Sequence, residues 1–407
     1  MPSLYERFLF NCSQHCLPSD FLLLVQQNST EYYLLRFVYP VLCALGIAGN
    51  ALNLLVLLRG QMKHKSNFLL ALMAFTDVAF LTLFIPVSLS SFEFLARNSN
   101  FYRFYGNSKT HLIALANWCS AVSVWLVVSV TFERLIVIKS PMSARTLWTK
   151  GRLICIVTII LVATLILTAH HHFAYDCFSI QYCNNTQLMF RCIPMVNDIP
   201  KPFRYFKSYS EVHQLYIRYS TIANAILAVL IPVIILAILN ISLLHSLKTQ
   251  QLNISLLAEQ TIPVAVKSRA NTVMSVLQRK QERRVTVTVV TISVCFAVAN
   301  GPSVFVYMWT LHKNFAPSSA LFDITASISN ILVVLGKVSN FFLFCTSSTH
   351  FRRQLLAYLG KKMENLPRLE PAQRITMVAA EVGRKISLQA FVKGSSDKTT
   401  ELAGLEV

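Results

Sequence analysis

Residues 153–173 read LICIVTIILVATLILTAHHHF, twenty-one residues without a single acid, lysine or arginine. As a helix rising about 1.5 Å per residue, such a run spans about 30 Å, the thickness of a bilayer's hydrocarbon core. A helix packed on a soluble core keeps one polar face, and this run has none. Six more runs of comparable length lie at 34–58, 68–92, 110–138, 216–247, 285–311 and 320–345, each bounded by polar or charged residues. Backbone polar groups in lipid must be satisfied within the segment, so all seven are expected to be helices. The predicted fold is an all-α membrane protein, a seven-transmembrane helix bundle over 34–346. Segment 1–33 precedes it, a short amphipathic helix 8 follows over 347–360, and 361–407 forms a disordered polar tail.

Composition agrees. Of 407 residues, 54% are hydrophobic and 14% charged, against about 25% charged in an average soluble domain. A mean hydropathy of +0.51 excludes global disorder, and 11 glycines with 14 prolines exclude a collagen-like chain. The balance is basic, 37 Lys+Arg against 18 Asp+Glu, a formal +19. A nucleic-acid-binding domain would cluster that charge with aromatics on a soluble face. Here it punctuates apolar helices, so no nucleic-acid partner is expected, and the charge serves topology and contact with acidic membrane lipids. Connections 59–67, 139–152 and 248–284 hold fourteen Lys+Arg and two acids, whereas 93–109, 174–215 and 312–319 hold eight and four. The first set is expected to be cytoplasmic and the N-terminus extracellular, in a multi-pass plasma-membrane protein. The opening Met1-Pro-Ser-Leu-Tyr-Glu-Arg lacks a basic stretch followed by an apolar one, so the first span is expected to be its own targeting signal. Three glycosylation triplets, at Asn11, Asn28 and Asn184, fall outside in this orientation, and a fourth at Asn253 falls inside.

Short motifs at the ends of these spans sharpen the reading. They are Ala48-Gly49-Asn50, Leu72-Met-Ala-Phe-Thr-Asp77, Phe132-Glu133-Arg134-Leu135 with Ser140-Pro141-Met142, Pro232, Phe296 six residues before Pro302, Asn340-Phe-Phe-Leu-Phe344-Cys, and Phe351-Arg352-Arg353. In this order the chain resembles the rhodopsin-like class of G-protein-coupled receptors over about residues 34–360. Gly49-Asn-Ala-Leu-Asn53, Asn300-Gly-Pro-Ser303 and the Asn-Phe replacing Asn-Pro look like invertebrate FMRFamide/myosuppressin-like peptide receptors. Nematode chemosensory receptors share several of these features. The resemblance implies a receptor, not an enzyme, that binds an extracellular amidated neuropeptide and activates a heterotrimeric G protein. The alternative is a chemosensory receptor for small molecules on the same scaffold. An ion or proton transporter is a remote third reading, since neither internal repeats nor paired helix breaks are visible.

A carboxylate inside a span is expensive and functional by default. The resemblance places Asp77 in a polar cluster with Asn50, Ser123 and Asn340, where many relatives hold sodium. Lys337 departs from that pattern. It lies three residues before Asn340, on the same helix face, and is expected either to pair with Asp77 in place of sodium or to snorkel towards the cytoplasmic end. An opsin's Schiff-base lysine would stand six residues before that Asn. Glu133-Arg134 closes helix 3, and Arg134 is expected to pair with Glu133 or with Glu282, twenty residues before Pro302. Release of that pair would open a cleft for the G protein, with Pro141-Met142 as an apolar knob on the inner side. Pro232 and Pro302 kink their helices, and Phe296 repacks by resemblance. Asn300 replaces the usual tryptophan, Asn240 the helix-5 tyrosine, Phe341 the helix-7 proline and Phe344 its tyrosine.

Five of ten cysteines lie outside the spans: Cys12, Cys16, Cys177, Cys183 and Cys192. Relatives join the top of helix 3 to outer loop 2, but Lys109 stands at that position. Cys119 is mid-membrane, fifteen residues from Arg134 or about 22 Å along the helix. Disulfides are therefore expected within outer loop 2 or between it and the N-terminal segment. Ala116 stands where amine receptors carry an aspartate, which discounts an amine. Glu93, Glu211 and Asp323 are candidate anchors for a cationic ligand residue, and Trp118, Phe101, Tyr102, Tyr105 and Tyr175 offer aromatic surface. His170-His171-His172 face different ways on a helix, so no metal site is expected, and no cofactor. Ser387, Ser395, Ser396, Thr399 and Thr400 in the tail are candidate phosphorylation sites for arrestin.

Overall fold

The computed structural model describes residues 29–59, 65–96, 98–184, 186–195, 210–260, 266–312, 320–347, 352 and 355–357. Among them are seven helices long and apolar enough to cross a membrane: α1 Thr30–Leu58, α2 Asn67–Leu89, α3 Ser99–Lys139, α4 Lys150–His172, α5 Glu211–Thr249, α6 Thr286–Trp309 and α7 Leu321–Leu343. The chain is thus a multi-pass membrane protein built as a seven-helix bundle.

The bundle presents apolar side chains outward and buries a polar cluster within its apolar interior. Ile154, Ile159, Ile166, Ile234, Ile238, Ile241, Val298 and Phe305 are exposed, while Asn50, Asp77, Ser123, Lys337 and Asn340 are buried. Water would not tolerate that outer surface, and lipid does. Of the seven helices, α3 buries the largest share of its residues. The apolar core joins α1, α2, α3 and α7 through Leu35, Tyr39, Phe80, Leu81, Tyr105, Val334 and Val338.

Several helices outrun their apolar stretch. The helix containing α1 begins at Ser29 and α3 begins at Ser99, where Asn98 caps its first turn by accepting from the Asn100 and Phe101 amides. α6 is the apolar part of a 47-residue helix, Val266–His312. Hydropathy stops a span at its first charged residue, but helical hydrogen bonding does not. Pro86 and Pro302 lie inside α2 and α6. Pro232 follows a π-helical turn, Ala225–Leu230, which absorbs the missing N–H. α7 runs helical through Phe341, the usual proline position. Phe341 sits on Gly49 of α1, where an added Cβ would lie 2.7 Å from the Phe341 Cβ.

The connection after α4 departs from an all-helical expectation. It forms an antiparallel hairpin, β1 Tyr175–Tyr182 and β2 Gln187–Pro194. Cys183 and Asn184 turn the chain with φ of 53° and 51°, a conformation Asn tolerates better than most residues. Cys177 and Cys192 face each other in register and are disulfide-bonded across the ladder. Cys183 is also disulfide-bonded, while Cys12 and Cys16 lie outside the described residues. Asn184 is exposed at the hairpin tip, and Asn11 and Asn28 lie outside the described residues. Of the proposed eighth helix, Arg352 and residues 355–357 are described, and they are helical.

With Lys109 in place of a cysteine, an apolar contact holds the hairpin to α3. Phe190 of β2 lies against Gly106, where an added Cβ would come within 2.4 Å of its ring. Tyr102 stacks edge-on against Phe190, with centroids 5.5 Å apart. The substitution Gly106→Val is expected to expel Phe190 and destabilise the fold by about 1–3 kcal/mol, and Gly106→Ala by less. Thermal unfolding of the purified receptor measures this, with Phe190→Ala partly relieving the Gly106→Val defect.

Candidate functional site

Asp77 of α2 is fully buried, and three side chains donate to it. Lys337 Nζ lies 3.0 Å from Oδ1, Ser123 Oγ 3.0 Å from the same oxygen, and Asn340 Nδ2 2.6 Å from Oδ2. Asn50 Nδ2 donates to the carbonyls of Gly46 and Lys337 at 3.0 and 3.1 Å. The five residues singled out as a polar cluster thus converge from α1, α2, α3 and α7. Lys337 does not snorkel; it is 1% exposed. Its ammonium also sits 4.7 Å from the centroid of the Phe80 ring. The helical spacing of Lys337 and Asn340 lets one helix face grip both carboxylate oxygens. A sodium ion on Asp77 would have to displace the ammonium.

A cavity of about 970 Å³ opens at the hairpin end of the bundle, and Phe80 lines its inner part. Phe80 therefore touches both the cavity and the ion pair. Ala116 and Asp323 line the cavity. Glu93, in the short helix Glu93–Ala96, and Glu211, exposed at the start of α5, do not. Trp118 does not either; its indole N–H donates to the Leu161 carbonyl at 3.1 Å and ties α3 to α4. Tyr175 lines the cavity, whereas Phe101, Tyr102 and Tyr105 do not. Glu31, Asn224, His171, Tyr307 and Trp309 also line it and had not been singled out as ligand contacts. Glu31 was missed because hydropathy starts the first span at residue 34, while the helix starts one turn earlier. Asn224 did carry a signal, as a polar side chain within an apolar span.

The residues replacing the usual relay find their own partners. Asn300 Nδ2 donates to the Phe296 carbonyl at 2.8 Å, and Phe296 is buried. Ser293 Oγ donates to Asn240 Oδ1 at 2.6 Å, joining α6 to α5. Ser303 and Ser329 hydroxyls, 2.9 Å apart, join α6 to α7. At the opposite end of α3, Arg134 Nε lies 2.8 Å from Glu133 Oε2, both residues being buried. The side chain of Glu282 lies outside the described residues. Pro141 opens the short helix Pro141–Leu147, and Met142 beside it is 81% exposed.

Residues 37–362 match the family described as Serpentine type 7TM GPCR chemoreceptor Srw. A Caenorhabditis elegans protein that carries a G-protein coupled receptor name is 36% identical over 335 residues, covering 81% of this chain and 74% of its own. A second from the same organism, so named, is 28% identical over 325 residues, covering 79% and 68%. The FMRFamide receptor of Drosophila melanogaster is 22% identical over 356 residues, covering 83% of this chain and 56% of its own.

Removing one partner of a buried ion pair strands the other charge. Asp77→Asn and Lys337→Met are each expected to cost about 3–5 kcal/mol. The double substitution should recover much of that loss, because no charge is left unpaired. Thermal unfolding of the four proteins in detergent, in a double-mutant cycle, measures the coupling. Sodium should leave the wild-type unfolding temperature unchanged relative to potassium.

Proposed function

Because the chain belongs to the serpentine type 7TM GPCR chemoreceptor Srw family, whose members are receptors rather than enzymes, we propose that it is a plasma-membrane receptor taking an extracellular ligand into the cavity at its hairpin end and activating a heterotrimeric G protein at the other. The observation that carries this reading is the family match along nearly the whole bundle. The geometry supports it: a cavity of about 970 Å³ against the middle of α3, from Ile113 to Val124, and the Glu133–Arg134 pair farther along the same helix. About 29 residues of continuous helix, from Tyr105 to Arg134, separate the hairpin end from the switch by about 43 Å. The excess of basic residues in the odd-numbered loops supports an extracellular N-terminus.

Two ligand readings remain. The family name supports a chemosensory small molecule, and the cavity volume lies within the usual range for one, about 300–1,000 Å³. The FMRFamide receptor relative supports the end of an amidated neuropeptide. In either case the ligand biases a two-state bundle. Pro232, Pro302 and Phe296 supply the deformable segments of α5 and α6, and exposed Met142 supplies an apolar contact for the G protein. Arrestin recruitment through a phosphorylated tail belongs to the same reading.

A panel of G-protein reporters challenged with amidated peptides and with small odorants and tastants tests the proposal. Response to one class selects between the readings. Arg134→Ala is expected to lower agonist-driven G-protein activation at least tenfold, with ligand binding and surface abundance retained. Undiminished activation in that variant would show that coupling does not run through Arg134.

A further inference from the structure

The cavity wall has an uneven chemistry. Among the described residues, its acidic lining side chains are Glu31 of α1 and Asp323 of α7, and no lysine or arginine lines it. The two carboxylates line one cavity from the first and the last helix of the bundle. Lys109 acts on Glu31 electrostatically from outside the lining. Its ammonium lies 5.9 Å from the centroid of the Tyr105 ring. Independently of the acids, two polar atoms on the same wall are buried without any hydrogen-bond partner: Asn224 Oδ1 and His171 Nε2. Asn224 as a whole is 4% exposed. A buried amide oxygen without a donor is a cost that a fold seldom carries unless something supplies the donor.

We propose that the cavity takes a ligand with a protonated amine or guanidinium held between Glu31 and Asp323, and with a further N–H or O–H donated to Asn224. This rests on the receptor reading above and specifies the chemistry of its ligand. Every polar group in the argument asks for the same partner. The carboxylates accept, the orphaned amide oxygen accepts, and a neutral His171 with its proton on Nδ1 accepts at Nε2. Tyr307 and Trp309 add π-faces to the lining, and Trp309 is fixed edge-on by Phe322 with centroids 5.9 Å apart. These rings favour a cation again. Among the described residues, an anionic ligand would meet two carboxylates on this lining. The helix-3 position that carries the counter-ion in amine receptors is Ala116 here, so the negative charge has moved to α1 and α7. A cation bridging the two helices pulls on α7, fourteen residues before Lys337 on the same helix. That gives ligand binding a direct handle on the buried ion pair.

The test uses the full-length receptor in nanodiscs and charge-matched probes. These are arginyl-phenylalaninamide against citrullinyl-phenylalaninamide, phenethylamine against phenethyl alcohol, and glutamyl-phenylalanine as the acidic control. Binding is read by thermal shift and, separately, signalling by G-protein reporters. The expected result is binding of at least one cationic probe, with its neutral partner and the acid weaker by roughly tenfold or more. Glu31→Gln and Asp323→Asn should each weaken the cation by a similar factor, the pair should abolish its binding, and Asn224→Leu should weaken it without changing the preference for charge. Unliganded unfolding temperatures of the isosteric carboxamide variants, compared with the wild type, separate a folding defect from a loss of binding. Equal binding of neutral or acidic probes overturns the inference, as does a cation insensitive to the double variant or no cationic binding at millimolar concentration. Binding with these preferences but no G-protein response overturns the receptor reading and leaves the ligand chemistry standing.

Discussion

A carboxylate sealed inside a helix bundle stays charged only if the protein replaces the water it has lost. Asp77 receives an ammonium, an amide and a hydroxyl from two other helices, and Asn50 on α1 holds the backbone of the lysine that supplies the ammonium. Four helices therefore have one permitted relative position. Coulombic attraction between buried charges is strong and falls off steeply with distance in a low dielectric. Small shifts of α7 against α2 thus carry a large energetic consequence.

The cavity and the ion pair share Phe80, and from there coupling has to pass through packed contacts. The polar residues that stand in place of the usual ones find hydrogen-bond partners. Asn300 closes on the Phe296 carbonyl, Ser293 on Asn240, and Ser303 on Ser329. Asn300 bonds back to its own helix, whereas the Ser293–Asn240 and Ser303–Ser329 bonds link α6 to α5 and to α7. Such bonds have discrete made and broken states, and each buried partner is penalised when its bond opens. Phe341 in place of proline leaves α7 unkinked there, and Gly49 makes the room its ring needs.

At the hairpin end, Cys183 carries a disulfide besides the one across the strands. The Cys177–Cys192 bond joins the two strands to each other, not to α3. Attachment to α3 comes from Phe190 lying over Gly106 and against Tyr102. A packed contact opens at far lower cost than a disulfide.

The sequence by itself determined the seven helices, because a bilayer demands length and apolarity that no other context requires. Helical spacing put Lys337 and Asn340 on one face, but left Lys337 free to pair with Asp77 or to snorkel, and packing decided for the pair. The sequence did not show where helices end, since hydrogen bonding carries them past the last apolar residue, and so Glu31 was placed outside the bundle rather than on the cavity wall. Nor did it show that Trp118 faces α4 instead of ligand, or that outer loop 2 pairs as a hairpin. Both depend on how α3 is rotated and on what it packs against. Tertiary structure alone decided which acids share a cavity. Glu31 and Asp323 stand 292 residues apart in the chain, and only packing of the first helix near the last puts their charges within reach of one ligand.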